Sequence, residues 1–450
     1  MNSTAQQSLL SRFLADYGMI LALLVLCIYF SIVTWDEQHP SGAEGGGQLA
    51  AEIVDQYGQN VNVFIVVRAT SEDAAFAGAL TTRLKEAGAE VVDVVHGQPP
   101  DVRRAIAAAL AEGKKIDVIG CNNATSTWSV YRAIEGLEET PVVRPRSYYW
   151  PDFLKLDNLL NVANQISVIA IIAIGMTMVI ITAGIDLSVG SLIALSAVVT
   201  TMLIRDYAGA REAGVLGMVL CCLGGMAVCG LSGAFSGVMV AIFRIPAFIV
   251  TLAMMLVANG LAYQIAEGQS NNQVPSSFKW LGVEADLLRL PNAVVLTMIL
   301  YGIAHVIMTR TVLGRYIYAV GGNEEAARLS GVPVRRVLIL VYVLSGLLAG
   351  LGGVVMASQL TSGSPTYGIM YELYVIAAVV VGGTSLAGGE GKIFGTLIGA
   401  LIIAVIRNGM NLTEVEDFQQ RVVLGLVILG AVLLDRLKKA DWRRLLGRLG

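Results

Sequence analysis

Charged residues are scarce in this 450-residue sequence, in which Asp, Glu, Lys and Arg together make up 14%. A soluble domain carries about a quarter of such residues, so the composition argues against a soluble enzyme, and we predict no catalytic residue. Cysteine is also scarce, and four of the five cysteines (Cys27, Cys221, Cys222 and Cys229) fall in apolar segments. No disulfide framework can be built from them, and their spacing fits no zinc site, so no metal site is predicted.

Apolar sequence is abundant, at 55%, and it comes in runs of about twenty residues with little or no charge. An α-helix needs about that length to cross a bilayer. The first run, Met19 to Val33, lacks a small-residue cleavage site after it, so we interpret it as a retained span. The other runs lie near 160–183, 187–204, 213–232, 236–262, 292–308, 338–358, 373–387, 393–409 and 419–434. The sequence thus predicts an all-α polytopic membrane protein with about ten transmembrane helices.

Basic residues predict the orientation, because loops rich in Lys and Arg tend to stay in the cytoplasm. One such loop and the end of the chain hold Arg310, Arg315, Arg328, Arg335, Arg336, Arg436, Lys438, Lys439, Arg443, Arg444 and Arg448. With an even number of spans, both termini are expected in the cytoplasm. The long segment after the first span is then external.

That segment, the insert, alternates strand and helix patterns and runs from residue 36 to 157. Strands are predicted at 61–67, 90–95, 116–121 and 141–143, and helices at 71–87, 100–112 and 126–137. This alternation predicts a parallel sheet in an α/β domain, preceded by a flexible glycine linker, Ser41 to Gly47. The predicted organisation is a first span in 1–35, an external α/β domain in 36–157, a transmembrane core in 158–435 and a basic cytoplasmic tail in 436–450.

Polar residues follow the third predicted strand of the insert, and they include Asn122, Asn123, Thr125 and Trp128. Ligands of open α/β sheets bind beyond the carboxyl ends of the strands, so these four residues are candidate external solute contacts. An ordinary turn with Asn and Thr as capping residues explains them at least as well. The insert resembles one lobe of a periplasmic sugar-binding protein, and a single lobe would be a weak binder.

Asp186 is the only charged residue between Asp157 and Arg205. A carboxylate at membrane depth is costly unless it meets water or a partner. With Ser188 and Ser191 it could line a translocation pathway, or it could cap the following helix. A second polar interruption, Gly382 to Gly395, contains Thr384 and Ser385 and resembles the first. Broken helices of internal repeats often meet at a transport path, so all five polar residues are candidates for the pathway or a helix break.

Four motifs occur in order: residues 180–191 (IITAGIDLSVGS), 244–252 (RIPAFIVTL), 314–332 (GRYIYAVGGNEEAARLSGV) and 377–389 (AAVVVGGTSLAGG). Together they resemble the permease subunits of ribose-type sugar ABC importers, a group within the branched-chain amino acid and ribose permeases. The resemblance covers roughly the last 290 residues. The insert is the part of the chain that differs from this family.

The resemblance implies a multi-pass protein of the bacterial cytoplasmic (inner) membrane that moves a monosaccharide or similar polar solute into the cell. It also implies three partners besides membrane lipid: a cytoplasmic ABC ATPase, a periplasmic or extracellular solute-binding protein, and a second permease copy or paralogue. No nucleic acid is expected. The chain itself lacks a phosphate loop, because residues 389–393 (GEGKI) have neither its upstream glycine nor its Ser or Thr. ATP and Mg are therefore expected on the ATPase partner, with no cofactor on this chain.

A short cytoplasmic helix is predicted in the basic loop 311–337. Asn323 can cap it, Glu324 and Glu325 suit its positive end, Arg328 lies one turn later, and Gly331 ends it. The segment resembles the coupling helix through which such permeases contact their ATPase. The predicted coupling residues are Gly322, Asn323, Glu324, Glu325, Ala326, Ala327, Arg328 and Gly331.

Two alternatives stay open on the sequence. An ion-coupled secondary transporter would need titratable groups in its core, for which Asp186 and His305 are candidates. A membrane receptor could sense a solute through the insert. It would need a cytoplasmic output domain, and only about fifteen residues follow Asp435.

Overall fold

The computed structural model describes residues 2–137 and 139–439. The chain folds as two compact units, with boundaries between Thr34 and Trp35 and between Asp152 and Phe153. One unit is helical and the other, the α/β unit, corresponds to the insert. Most of the predicted basic tail, from residue 440 onward, lies outside the described residues.

The first helix, α1 (Asn2–Val33), leads into the α/β unit. Elements of the α/β unit follow in the order β1 (Trp35–Gln38), α2 (Gly42–Tyr57), β2 (Asn62–Val67), α3 (Ser71–Glu86), β3 (Glu90–His96), α4 (Pro99–Ala111), β4 (Val118–Cys121), α5 (Asn123–Ser126), β5 (Val142–Val143) and β6 (Tyr148–Pro151). The short strands β1 and β6 pair antiparallel where the chain enters and leaves the unit. The other four form a parallel sheet in the order β3-β2-β4-β5.

Apolar side chains cover both faces of this sheet. Leu49 of α2 with Phe76 and Leu80 of α3 form one fully buried layer. Val102 and Ile106 of α4 pack in the layer on the other side. Because a parallel sheet is buried on both faces, the uninterrupted apolar run of β2 is the expected pattern.

Two local predictions for the insert are wrong. The glycine-rich segment is no flexible linker, since it forms the first turns of α2. A side chain on Gly46 would collide with the backbone of Phe76, so its missing side chain lets α2 and α3 approach closely. The predicted helix 126–137 is replaced by the four-residue α5 and a 3-10 turn, Ser129–Ala133. There the buried Tyr131 hydroxyl donates to the Thr125 carbonyl at 2.9 Å, which bends the chain back on itself.

After the α/β unit, the chain continues through the helices of the helical unit, each of which has ten or more residues except α12. They are α6 (Leu156–Ile181), α7 (Val189–Tyr207), α8 (Val215–Ala241), α9 (Ala247–Ile265), α10 (Asn292–Arg310), α11 (Val312–Gly322), the short α12 (Glu324–Leu329), α13 (Val334–Leu360), α14 (Tyr371–Val381), α15 (Ile393–Leu412) and α16 (Asp417–Lys439). Within the described residues, seven helices are long and apolar enough to cross a membrane: α6, α7, α8, α9, α10, α13 and α15. Shorter apolar helices cover Gly18–Val33 and α14.

The predicted boundary between the third and fourth of these spans is displaced, and α14 ends at Val381, before the predicted limit at 387. The sequence pattern placed a break near 233–235, whereas α8 continues to Ala241 and the chain turns at Arg244, which has φ 54°. Gly233 lies in that predicted break, and Gly237 lies just inside the next predicted span. In the fold they let α8 lie against α13, because a side chain on either glycine would collide with the backbone there.

Helix α6 lies at the centre of the helical unit, and every residue from Ile166 to Ile181 is buried. It packs against α13, α15, α14 and α10. An apolar helix buried on all sides places any polar neighbour in a dry environment, which is where the candidate site begins.

Candidate functional site

The loop after α6 returns into the helical layer. Helix α6 ends in a Schellman motif, in which the Gly184 amide donates to the Val179 carbonyl at 3.0 Å and Ala183 has φ 60°. A side chain on Gly175, six residues before the end of α6, would collide with the backbone of Ser345 in α13. Because Asp186 bonds to that same Ser345, the loop must climb back by roughly 9 Å, at 1.5 Å per helical residue.

Asp186 lies in this loop, is only 2% exposed, and accepts three hydrogen bonds. Its Oδ1 accepts from the Ser188 amide at 3.0 Å and from the Ser188 hydroxyl at 2.6 Å. Its Oδ2 accepts from the Ser345 hydroxyl of α13 at 2.8 Å. Asp186 therefore connects the loop between α6 and α7 to α13, across a sequence separation of 159 residues.

The capping interpretation of Asp186 needs a refinement. The residue at the N-cap of α7 is Ser188, and its side chain makes no capping bond. Asp186 instead accepts the amide of Ser188, so it organises the turn that precedes the helix. Ser188 is 2% and Ser191 8% exposed, so both predicted pathway residues lie inside the protomer.

The second polar interruption has the same geometry as the first. Helix α14 also ends in a Schellman motif, with the Thr384 amide donating to the Val379 carbonyl at 3.1 Å and Gly383 at φ 83°. Thr384 and Ser385 are both buried. Among the described residues, the buried Thr384 hydroxyl has no hydrogen-bond partner.

The two interruptions meet at the end of α6. The Gly389 amide, in the loop after α14, donates to the Ile181 carbonyl at 2.8 Å. Helix α11 packs at the same point, because a side chain on Gly321 would collide with the Ile181 carbonyl. The structure thus brings the first interruption, the second and the start of the coupling segment into one close-packed junction.

Glu372 is a partly buried acidic residue that was not among the predicted site residues. It lies in the first turn of α14, is partly buried, and its carboxylate packs against Gly190 in the first turn of α7, where a side chain would collide with it. Gly368 and Gly190 touch through their backbones. The amino-terminal ends of α7 and α14 therefore meet, and a carboxylate beside two helix amino termini is electrostatically favourable.

Arg407 is a second missed charge. It lies within α15, is partly exposed, and its guanidinium stacks 4.7 Å from the centre of the Tyr374 ring of α14. Both charges were overlooked for a local reason. Glu372 precedes the predicted span 373–387 by one residue, and Arg407 is a lone charge near the end of the predicted span 393–409.

The coupling segment forms a capped helix, α12, as the sequence suggested. The Asn323 side chain accepts the Ala326 amide at 2.9 Å, and Gly331, with φ 83°, closes the helix. Arg328 pairs with Glu325, three residues before it, and not with Glu324. Ala327 is buried, whereas Leu329 is 81% exposed at the end of α12.

Internal bonds of the α/β unit occupy most of the candidate solute contacts of the insert. Asn122 caps α5 by accepting the Thr125 amide at 2.9 Å, and the buried Thr125 hydroxyl donates to the Val66 carbonyl at 2.9 Å. Asn123 accepts a hydrogen bond from Arg144. Trp128 packs at the edge of the apolar layer beside α4. The four residues thus lie together at the carboxyl end of β4, engaged mainly with the unit itself.

Comparison with known proteins identifies the family to which the helical core is similar. Residues 158–433 match the family described as branched-chain amino acid transport system / permease component. The ribose import permease protein RbsC of Escherichia coli K12 is 46% identical over 293 residues, which cover 64% of this chain and 88% of that protein. RbsC of Bacillus subtilis strain 168 is 43% identical over 292 residues, with 64% and 88% covered. The L-arabinose transport system permease protein AraH of Escherichia coli K12 is 40% identical over 289 residues, with 64% and 85% covered. No solved structure matches.

Proposed function

The chain belongs to the family of branched-chain amino acid transport permease components, and we propose on that premise that it is the membrane-spanning permease of an ATP-driven importer for a monosaccharide. One observation carries the proposal. The matched part coincides with the helical core and extends over 88% of a ribose import permease at 46% identity. The permeases for L-arabinose and D-allose, 40% and 38% identical, point to the same substrate class. A role in transport, and not in catalysis, follows from the family.

The core geometry supports transport without proton coupling. A carrier driven by a proton gradient needs a titratable core group that binds and releases protons during the cycle. Asp186 is instead engaged by three donors from Ser188 and Ser345. The other candidate, His305, packs its ring 4.7 Å from that of Phe394. Neither arrangement favours the secondary transporter.

A second permease copy is proposed beside α14 and α15, the helices that carry Glu372 and Arg407. Both side chains are partly exposed although they lie in apolar helices. A charge facing lipid is costly, and intramembrane charges almost always face a bundle interior or a water-filled cavity. We therefore place these two helices toward the partner permease or the solute pathway between the two copies. The predicted pathway residues Asp186, Ser188, Ser191, Thr384 and Ser385 are buried, and the bonds that Asp186 accepts from Ser188 and Ser345 hold the first broken segment in shape.

We propose the same membrane arrangement that the sequence predicts. Counting α1, α14 and α16 with the seven long helices gives about ten spans. An even number, with the basic loop around α12 in the cytoplasm, puts both termini in the cytoplasm of a bacterial inner membrane and the α/β unit outside. There the unit is available to the external solute-binding protein.

The ATPase partner, which would bind ATP and Mg, is proposed to dock on α12. The one large apolar side chain of that helix, Leu329, is exposed, while Ala327 is buried. A helix of six residues is too short to persist alone. Packing of Ala327 holds α12 in place and leaves Leu329 free to enter a groove on a partner.

Affinity purification in mild detergent tests this assignment. The wild-type protein should copurify with an ABC ATPase, and Leu329→Glu should lose it at unchanged thermal stability. Leu288→Glu is the matched control, because Leu288 is 85% exposed and lies in the loop expected outside. Retention of the ATPase by Leu329→Glu would reject α12 as the docking element. Absence of any ATPase from the wild-type sample, together with normal uptake, would reject the importer.

A further inference from the structure

A basic recess lies beside α12, where three segments of the helical unit converge. Its volume is about 310 Å³. Its charged lining residues are Arg244, Glu324, Arg328, Arg335 and Arg336. The lining residues as a whole come from the end of α8, the turn before α9, helix α12 and the first turn of α13, so the recess is built by the tertiary fold and not by one basic stretch.

The charges of the recess are unbalanced. Four of its lining residues are arginines and one, Glu324, is acidic. Arg328 is paired with Glu325. Within the described part of the chain, Arg244, Arg335 and Arg336 form no ion pair, and all three are exposed. The recess therefore presents at least two uncompensated positive charges to a ligand.

The recess lies at the level where membrane spans end. Arg244 stands between the span that ends at Ala241 and the span that starts at Ala247, and Arg335 and Arg336 belong to the first turn of the span Val334–Leu360. The ends of spans meet the polar head groups of the bilayer. A ligand in the recess would share that level.

Three apolar side chains next to Arg244 in the chain are exposed. Ile242 is 48% exposed, Phe243 63% and Ile245 37%, and all three flank Arg244 in sequence. A soluble anion would gain nothing from contact with these apolar side chains. An amphipathic anion would place its charge among the arginines and its chains along these side chains.

We propose that this recess binds the head group of an anionic phospholipid. Arginine guanidinium groups hold phosphate oxygens through paired hydrogen bonds, and basic pockets between spans on the cytoplasmic side suit anionic head groups. An acidic side chain of a protein partner would satisfy the charge but not the exposed apolar side chains. Because the recess shares Glu324 and Arg328 with α12, a bound lipid also fixes the position of that helix.

The test uses the full-length chain and does not depend on the transported solute. The protein is reconstituted in nanodiscs of phosphatidylcholine with or without about a quarter phosphatidylglycerol, and the lipid retained after extraction is measured by native mass spectrometry. We expect selective retention of phosphatidylglycerol by the wild-type protein. The double variant Arg335→Gln, Arg336→Gln should lower it by about tenfold or more, since each basic residue at the surface contributes several-fold.

The control is the double variant Arg310→Gln, Arg315→Gln. It removes two exposed arginines from the same basic loop that do not line the recess. It should retain phosphatidylglycerol as the wild type does, and both variants should match the wild-type melting temperature. Equal losses in the two variants would overturn the proposal, because retention would then reflect general charge. Displacement of the lipid by soluble glycerol phosphate at millimolar concentration would also overturn it in favour of a free anion site.

Discussion

Replacing Asp186 tests whether this carboxylate acts as a hydrogen-bond acceptor or as a charge. Asp186→Asn keeps an oxygen for the Ser188 amide and hydroxyl, and its new amide group can donate to the Ser345 hydroxyl, which can reverse its role. Asp186→Leu removes all three bonds in a site that is 2% exposed.

The expected magnitudes follow from this bond inventory. A hydrogen bond to a charged group contributes about 1.5–3 kcal/mol, and a donor left unsatisfied in a buried site adds to the loss. Relief from burying a charge offsets part of it. We therefore expect Asp186→Leu to lower the stability by about 3–5 kcal/mol and Asp186→Asn by about 1 kcal/mol.

Thermal unfolding in detergent, together with solute uptake in reconstituted vesicles, provides the assay. Asp157→Leu is the control, because Asp157 is exposed in the first turn of α6 and its loss should cost less than about 1 kcal/mol. Ser345→Ala should give an intermediate loss, since it removes only the bond to α13. An Asp186→Asn protein that melts normally yet transports nothing would refute the acceptor account and show that the charge itself is required.

Three further predictions concern other parts of the chain. Gly321→Ala should lower the melting temperature, because a side chain there collides with the Ile181 carbonyl, whereas Gly322→Ala, with open space around it, should not. In the α/β unit, burial raises the pKa of Asp73 but hydrogen bonds from Arg68 outweigh it and hold the pKa below its ordinary value of 3.8. The ionised form is thus favoured by folding, so hydrogen-exchange protection of the unit should be constant near neutral pH and fall as the pH drops below about 4, and Asp73→Asn should flatten that fall. Protease added to intact spheroplasts should cleave the insert, and protection there with cleavage only in inverted vesicles would reverse the proposed topology.

Local patterns predicted those elements whose stability is local. Strand β2 and helix α3 lie within one residue of their predicted limits, because the apolar run of β2 and the start of α3, where the Thr70 side chain accepts the Asp73 amide, depend on neighbouring residues. The capped helix α12 was predictable for the same reason. The family resemblance was confirmed by the match of residues 158–433.

Features that depend on distant contacts were not predictable. The glycines of α2 were predicted to form a flexible linker because no neighbouring residue indicates that Phe76 packs against Gly46. The contact of Glu372 with Gly190 forms only because the chain returns after α13, so no local pattern predicts it. The partner of Asp186 also lies 159 residues away, at Ser345, and no sequence spacing points to it.

Uptake of labelled ribose into vesicles tests the central claim most directly. The protein would be reconstituted with its copurifying ATPase and the matching solute-binding protein, and accumulation followed with and without ATP. An ATP-driven importer predicts accumulation against the gradient only when ATP is supplied to the ATPase side, unchanged by a protonophore or a sodium ionophore. Accumulation driven by an imposed proton or sodium gradient in the absence of ATP would contradict it.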